Sequence, residues 1–161
     1  MAVNYNLEQA IKLACEVLVK PFEGYHRKLP DGGCSAYPDP GTGGKPWTIG
    51  WGSTGPNIHQ NTVWTRDQAE QDLQAHLRHF AFGSLGFSPN LINEPPRRFA
   101  AIISFTYNCG LGNYKISTLR KRVNEGDWSS AYTEIQKWNK AAGRVLPGLT
   151  RRRLAEANML R

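Results

Sequence analysis

The chain has 161 residues, 40% hydrophobic and 20% charged, which suits one domain with an apolar core and excludes a disordered, low-complexity segment. The net charge is +7, but its short Arg/Lys clusters (residues 97–98, 120–122 and 151–153) are scattered, whereas nucleic-acid binders carry a basic tail or one concentrated stripe. Three cysteines and four histidines lack the spacing of a zinc site, so we expect reduced thiols, no metal and no cofactor.

The first predicted element is an N-terminal helix. Residues 1–6 lack the basic start and apolar run of a secretory signal, and no later stretch reaches membrane-spanning length. Asn6 and Gln9 have the spacing of a capping pair, and apolar residues then recur at helical intervals. Pro21 predicts an end or a kink, and Gly24 predicts a stop. Glu23 is therefore expected at the C-terminal end of this helix.

Residues 25–56 contain half of the glycines and prolines, with short β-prone pieces at 34–38 and 47–52. This pattern predicts a small β-hairpin or a three-stranded sheet. The Gly-rich run at 40–44 is not followed by the Lys-Ser/Thr of a phosphate-binding loop.

From Thr65 onward the sequence predicts helices. Thr65 and Gln68 form a capping box, and the apolar run at 99–105 predicts a helix buried on most sides and ended by Gly110. Further helices are expected at 117–124, after Asp127 and from Thr150. The fold class is therefore α+β, with one helix, a small antiparallel sheet and then a helical bundle.

Glu23 is a candidate general acid. Hydrolysis of a glycosidic bond needs a proton donor and usually a second carboxylate across the cleft. The negative end of a helix dipole disfavours a charged carboxylate, so Glu23 is suited to hold a proton. A glutamate in a last helical turn is, however, most often only solvated.

Three motifs follow one another in a specific order: Glu23-Gly24, then Tyr37-Pro38-Asp39, then Thr48-Ile49-Gly50-Trp51-Gly52. This order resembles the phage-type lysozymes of glycoside hydrolase family 24. Residues 104–110, 117–119, 124–127, 138, 143–149 and 152–156 also match lambdoid-type members, so the resemblance covers about residues 7–160.

The resemblance implies a single lysozyme-like domain over residues 1–161. Its parts would be a small lobe at about 20–64, a linking helix at about 65–80, and a helical lobe at about 81–161 on which the N-terminal helix packs. It also implies an endolysin muramidase, which hydrolyses the β-1,4 bond between N-acetylmuramic acid and N-acetylglucosamine in peptidoglycan.

The resemblance assigns Glu23 as the general acid, Asp39 as the carboxylate that positions or activates water, and Thr48 as the hydroxyl that holds this water. Inversion at the anomeric carbon is implied. Asp31 is a weaker alternative to Asp39, because only Asp39 lies in the Tyr-x-Asp context. The further residues expected to contact sugar are Tyr37, Gly50, Trp51, Gly52, Asn108 and Gly110.

Several points depart from the family or stay open. Fifteen residues separate Glu23 from Asp39 and eight separate Asp39 from Thr48, which is longer than in compact members. Ser53 stands where many members have histidine. Trp47 and Trp51 would stack on sugar rings or pack in a core with about equal expectation, whereas Trp128 and Trp138 are expected in the core.

The expected partner is peptidoglycan, with no nucleic acid and no stable membrane insertion, and a monomer is the default. Lacking a signal, the protein would be made in the host cytoplasm and reach the cell wall after a holin permeabilises the membrane. The basic clusters would be a solvated face or a surface that docks on the anionic wall. Rival interpretations are a lytic transglycosylase, a non-catalytic wall-binding phage protein, and activity on chitin-like glycans.

Overall fold

A computed structural model describes residues 2–161, with side chains described from Tyr5 onward. Met1, where the predicted domain begins, lies outside the described residues. The chain divides into two compact units. We call Glu23–Ala75 the β unit, and the residues up to Phe22 together with His76–Arg161 the helical unit. The predicted division into a small lobe, a linking helix and a helical lobe stays a prediction.

The β unit contains two short antiparallel pairs. Strand β1 (Cys34–Ser35) pairs with β4 (Val63–Trp64), and β2 (Thr48–Ile49) pairs with β3 (Ser53–Thr54). These elements agree with the predicted small sheet.

Helix α3 (Arg66–Phe87) begins in the β unit. The Thr65 N–H donates to Gln68 Oε1 over 2.8 Å, and the Gln68 N–H donates to Thr65 Oγ1 over 3.1 Å. The predicted capping box is confirmed. Its two reciprocal bonds satisfy backbone donors that the first helical turn leaves without partners.

The N-terminal helix is continuous from α1 (Ala2–Leu13) through a π-helical segment (Ala14–Val19) to α2 (Lys20–Glu23). The predicted cap at Asn6 is wrong, because Asn6 lies inside α1 and its amide donates to the Ile92 carbonyl over 3.1 Å. The predicted break at Pro21 takes the form of the wider π turn, which accommodates a residue that has no N–H to donate. The helix ends at Gly24, as predicted, where φ is +75°.

The helical unit is built around α4 (Pro96–Cys109), in which every residue from Phe99 to Thr106 is buried. This confirms the prediction from the apolar run. The other elements are the rest of α3, a 3₁₀ turn (Pro89–Asn93), α5 (Leu111–Ile116), α6 (Thr118–Asn124), α7 (Trp128–Gln136), strands β5 (Lys140–Ala141) and β6 (Arg144–Val145), and α8 (Pro147–Leu160). The predicted Asp127 cap is confirmed, since its carboxylate accepts from the Ser130 N–H over 3.1 Å.

The basic cluster at 151–153 is not a solvated face or a docking surface as a whole. Arg152 and Arg153 are 3% and 0% exposed, and both pair with the fully buried Glu156. Arg153 Nε lies 2.7 Å from Glu156 Oε2, and Ser104 Oγ donates to Glu156 Oε1 over 2.7 Å. Charges at helical spacing look alike in sequence whether solvated or buried, and only the packing of α8 on α4 distinguishes them. Arg151 remains exposed.

The α+β fold class is confirmed by these helices and small antiparallel sheets. Within residues 2–161, no helix is long and apolar enough to cross a membrane.

Candidate active site

Glu23 is the last residue of α2, and its half-buried carboxylate lies against the hairpin that links β2 to β3. A Cβ atom built on Gly52 would stand 3.5 Å from Glu23 Oε2. Gly52 has a φ of +96°, a conformation that residues with a Cβ rarely adopt. The third motif of the sequence therefore contacts the candidate acid directly.

Tyr37 joins the second motif to the third. Its N–H donates to the Thr48 carbonyl over 2.8 Å, and the Thr48 N–H donates back to the Tyr37 carbonyl over 2.9 Å. Burial raises the pKa of Tyr37, and the negative charge of Glu23 raises it further. The Tyr37 phenol is therefore close enough to Glu23 to sense its charge, so Glu23, Tyr37 and Thr48 share one region of the β unit.

Asp39 holds its own loop together. Its Oδ1 accepts from the N–H groups of Gly41 and Thr42 at 2.9 and 3.0 Å. Two backbone bonds between residues 39 and 43–44 close the same turn. Among the described residues, Oδ2 of Asp39 has no hydrogen-bond partner. The long segment between Asp39 and Thr48 thus folds around the Asp39 carboxylate. Oδ2 of Asp39 is left able to bind another ligand.

Asp31, the alternative second carboxylate, lies in a different turn. Its Oδ1 accepts from the Gly33 N–H over 2.9 Å. This is a local turn contact of the kind that aspartate commonly makes with the residue two positions on.

A groove of ≈ 610 Å³ in the β unit is lined by His26, Arg27, Tyr37, Pro38, Pro40 and Thr48. His26 Nε2 lies 3.2 Å from the Glu23 carbonyl oxygen, and the His26 ring packs edge-on against Tyr37 with 5.4 Å between centroids. Sequence reasoning did not single out His26 or Arg27. Their position two and three residues after Gly24 is the signal that would have found them.

The remaining predicted sugar contacts in the β unit differ in their surroundings. Trp51 is only 4% exposed, its ring lies 4.5 Å from that of Tyr25, and the Arg66 guanidinium lies 4.8 Å from both rings. Gly50 is buried against Trp64 and Ala69. The Trp51 ring offers little surface to a sugar. This arrangement therefore fits the alternative interpretation, in which Trp51 packs in the core.

Asn108 and Gly110 lie in the helical unit, at the end of α4. Asn108 is exposed, and the Gly110 N–H donates to the Thr106 carbonyl over 2.8 Å. Asn108 lines a pocket of ≈ 490 Å³ together with Cys109, Asn113, Trp138, Lys140, Ala141, Leu146, Leu149 and Arg153. Burial raises the pKa of the Cys109 thiol despite the nearby Arg153.

Ser53, which replaces the common histidine, is 6% exposed and its hydroxyl donates to Asp72 Oδ2 on α3. The departure from the family pattern therefore retains a hydrogen bond between the hairpin and the helix within the β unit.

Comparisons with known proteins identify the family of the chain. The Phage lysozyme family model matches residues 22–156. The chain is 35% identical over 142 residues to an endolysin of Bacillus phage B103, covering 88% of this chain and 50% of that protein. It is 36% identical over 144 residues to an endolysin of Acyrthosiphon pisum secondary endosymbiont phage 1, covering 87% of this chain and 90% of that protein.

Among solved structures, the endolysin from Escherichia coli O157:H7 phage FAHEc1 has a TM-score of 0.73 at 27% identity, covering 94% of this chain and 90% of that one. The chain thus spans half the length of the B103 endolysin and nearly all of the other two proteins. The chain belongs to the phage lysozyme family.

Proposed function

We propose that the chain is an endolysin muramidase that hydrolyses the β-1,4 bond between N-acetylmuramic acid and N-acetylglucosamine in peptidoglycan. Family membership supports a glycoside hydrolase. The observation that carries the proposal is the meeting of Glu23 with the Thr48–Gly52 hairpin and Tyr37 in the β unit. One residue or more from each of the three motifs lies in this region, which supports a shared role in one reaction.

Glu23 is proposed as the general acid, which protonates the leaving glycosidic oxygen. Its carboxylate is half-buried at the C-terminal end of α2, next to the hairpin that links β2 to β3. Gly52 lies next to Oε2, and the Tyr37 phenol is close enough for the charge of Glu23 to raise its pKa.

Asp39 is proposed to position or activate the attacking water, with Thr48 as the hydroxyl that helps to hold this water. The two N–H donors on Oδ1 fix the Asp39 side chain, and Oδ2 remains able to accept a hydrogen bond from water. Thr48 lines the groove, and its hydroxyl can donate and accept one bond each. Attack by a water held on the far side of the sugar would invert the anomeric carbon.

In this proposal, the helical unit is the part of the protein that is attracted to the anionic cell wall. Residues 23–75 contain six Asp/Glu and only four Lys/Arg, so the whole positive excess lies in the rest of the chain. Wall binding should weaken as salt rises, because screened charges attract less. We further propose that the protein acts as a monomer and reaches the wall with the help of a holin.

The test is digestion of purified peptidoglycan, with the released fragments weighed by mass spectrometry. Native protein should release fragments with hydrated reducing ends, and Glu23→Gln should release none. Glu125→Gln, which changes an exposed carboxylate paired with Arg122, should retain activity. Anhydro ends would instead identify a transglycosylase and leave Asp39 without a role, and no fragments from native protein would contradict catalysis.

A further inference from the structure

A second pocket of ≈ 590 Å³ lies in the β unit and shares no lining residue with the groove that contains Tyr37 and Thr48. It is lined by Lys45, Pro46, Trp47, Thr54, Gly55, Pro56, Ile58 and His59. Trp47 directly precedes Thr48, and consecutive Cα atoms are about 3.8 Å apart. One lining residue of this pocket and one of the groove are therefore neighbours along the chain.

Hydrogen bonds fix the chain on both sides of this pocket. On one side, the Thr42 hydroxyl donates to the Lys45 carbonyl over 2.6 Å. On the other, the His59 N–H donates to Thr62 Oγ1 over 2.9 Å, and the Ile58 N–H donates to the Gly55 carbonyl over 3.1 Å. Binding sites for small molecules are usually pre-formed in this way.

Three polar groups in the lining have no hydrogen-bond partner among the described side chains and backbone. They are the Trp47 indole N–H, the Lys45 ammonium and the His59 imidazole. Trp47 is half-buried, with Pro46, Pro56 and Ile58 forming the apolar remainder of the lining. A flat aromatic ring beside unused donors matches a pyranose, which has an apolar face and a polar edge.

The charges around the pocket indicate what kind of sugar it would bind. The β unit has more carboxylates than cations, yet Lys45 is the one fully ionised side chain among the residues lining this pocket. None of the acidic residues of the β unit lines it: Glu23, Asp31, Asp39, Asp67, Glu70 and Asp72. An anionic ligand is therefore complementary to the pocket and not to its surroundings.

We propose that this pocket is a subsite for a sugar that bears a carboxylate, the lactyl group of an unsubstituted N-acetylmuramic acid, in a glycan strand whose next units lie in the groove. This assignment rests on the proposed function for the nature of the strand. Trp47 stacks on the ring, Lys45 pairs with the carboxylate, and His59 and the indole N–H bind the polar edge. The enzyme would then select glycan strands by the free carboxylate on their sugars as well as by the bond that it cleaves.

The test measures binding without turnover, in ¹⁵N-labelled Glu23→Gln protein, by following the Trp47 indole N–H resonance assigned with Trp47→Phe. Two tetrasaccharides are compared: alternating N-acetylglucosamine and N-acetylmuramic acid freed of stem peptides, and tetra-N-acetylchitotetraose. The muramyl ligand should shift the Trp47 signal to saturation. The chitotetraose should bind about tenfold more weakly, the value expected for losing one charge-assisted hydrogen bond.

Lys45→Gln should weaken muramyl binding by the same factor of about ten and should make the two ligands bind alike. Lys28→Gln is the matched control, since it removes an exposed cation of the β unit that does not line this pocket, and it should bind as before. Equal affinity for the two glycans, an unmoved Trp47 signal, or unchanged affinity in Lys45→Gln would overturn the proposal.

A third ligand, the muramyl tetrasaccharide with its stem peptides attached, distinguishes the source of the carboxylate. Tighter binding of this ligand than of the peptide-free strand would also overturn the lactyl assignment, in favour of a peptide carboxylate. Binding is measured in the Glu23→Gln variant, so it does not depend on turnover. If native protein failed to digest peptidoglycan, the proposed hydrolysis would be contradicted and the binding test of this pocket would still stand. If the binding test failed, the pocket assignment would be contradicted and the proposed hydrolysis would still stand.

Discussion

The carboxylate of Glu23 lies beside Gly52, since a Cβ built on Gly52 would stand 3.5 Å from Oε2, at ordinary van der Waals distance. The last residue of the N-terminal helix and the turn of the β2–β3 hairpin are therefore neighbours in the β unit. Glu23 and Gly52 both belong to the ordered motifs of the sequence, but the spacing of those motifs does not predict that the two residues are neighbours in the fold.

Gly52→Ala should lower kcat by about tenfold to a hundredfold, because a hairpin that relaxes the strained backbone at residue 52 shifts against Glu23, and small displacements of catalytic groups cost much of their effect. The added methyl itself would meet Oε2 only at ordinary van der Waals distance, whereas the φ of +96° strains any residue that has a Cβ. The measurement is the initial rate of solubilisation of peptidoglycan, together with the free energy of unfolding in urea.

Gly126→Ala is the matched control for this variant. Gly126 has a φ of +69°, and nothing stands within 4 Å of a Cβ built on it. It should lose a comparable 1–2 kcal/mol of stability (about the cost of a left-handed residue) and keep its rate. If both variants lost activity equally, general destabilisation and not a shift of the backbone beside Glu23 would be the cause.

Asp39→Asn should reduce kcat by about a hundredfold to ten-thousandfold, the usual contribution of a general base. The amide oxygen can still accept from Gly41 and Thr42, so the loop should persist and the loss should fall on catalysis. Asp31→Asn keeps its own bond to Gly33 and should stay close to the native rate. Loss of activity in Asp31→Asn alone would exchange the proposed roles of the two residues.

Local signals in the sequence predicted those parts of the fold that depend on neighbours along the chain. The stop at Gly24, the capping box of Thr65 and Gln68 and the Asp127 cap each involve groups within four residues of one another. The order of Glu23, Tyr37 and Thr48 pointed to one region because family members share it. That all three contribute to one region of the β unit is a matter of packing, which only the structure describes.

The errors occurred where tertiary contacts overrule local preference. Asn6 has the side chain of a cap, but its amide bonds to Ile92, which is far away in sequence. Arg152 and Arg153 resemble solvated charges until α8 is packed on α4 and Glu156 is buried between them. Trp51 is not such an error, because the sequence left sugar contact and core packing both open, and Tyr25 and Arg66 lie against its ring.

Glu156→Gln should destabilise the protein by about 3–5 kcal/mol, because it leaves two buried guanidinium groups without their counter-charge. Arg152 and Arg153 both lie within 3.3 Å of the Glu156 carboxylate, and neither has access to water to compensate. Arg151→Gln, at the exposed neighbour, should change stability by less than about 0.5 kcal/mol. Urea unfolding monitored by circular dichroism gives both values, and a loss near 1 kcal/mol in Glu156→Gln would indicate that water reaches the cluster.

Tyr114 should make the protein sensitive to alkali. Burial raises the pKa of Tyr114, whose hydroxyl shares a 2.7 Å hydrogen bond with Ser88. A raised folded-state pKa contributes stability that is complete below the unfolded value of about 10 and is lost as pH rises above it, because only the unfolded chain then releases the proton. The native protein should therefore lose about 1.4 kcal/mol for each pH unit above 10 through this one group, whereas Tyr114→Phe should lose none of that amount.

The check is urea unfolding of native protein, Tyr114→Phe and Ser88→Ala at pH 8 and pH 11. At pH 8 both variants should be about 1 kcal/mol less stable than native, since each removes the same buried hydrogen bond. At pH 11 the deficit of Tyr114→Phe should vanish or reverse, because the native phenol then opposes folding. Ser88→Ala keeps the Tyr114 phenol, so its loss of stability relative to native protein should be the same at pH 8 and pH 11. If this loss became smaller at pH 11 by the same amount in both variants, groups other than Tyr114 would cause the sensitivity to alkali.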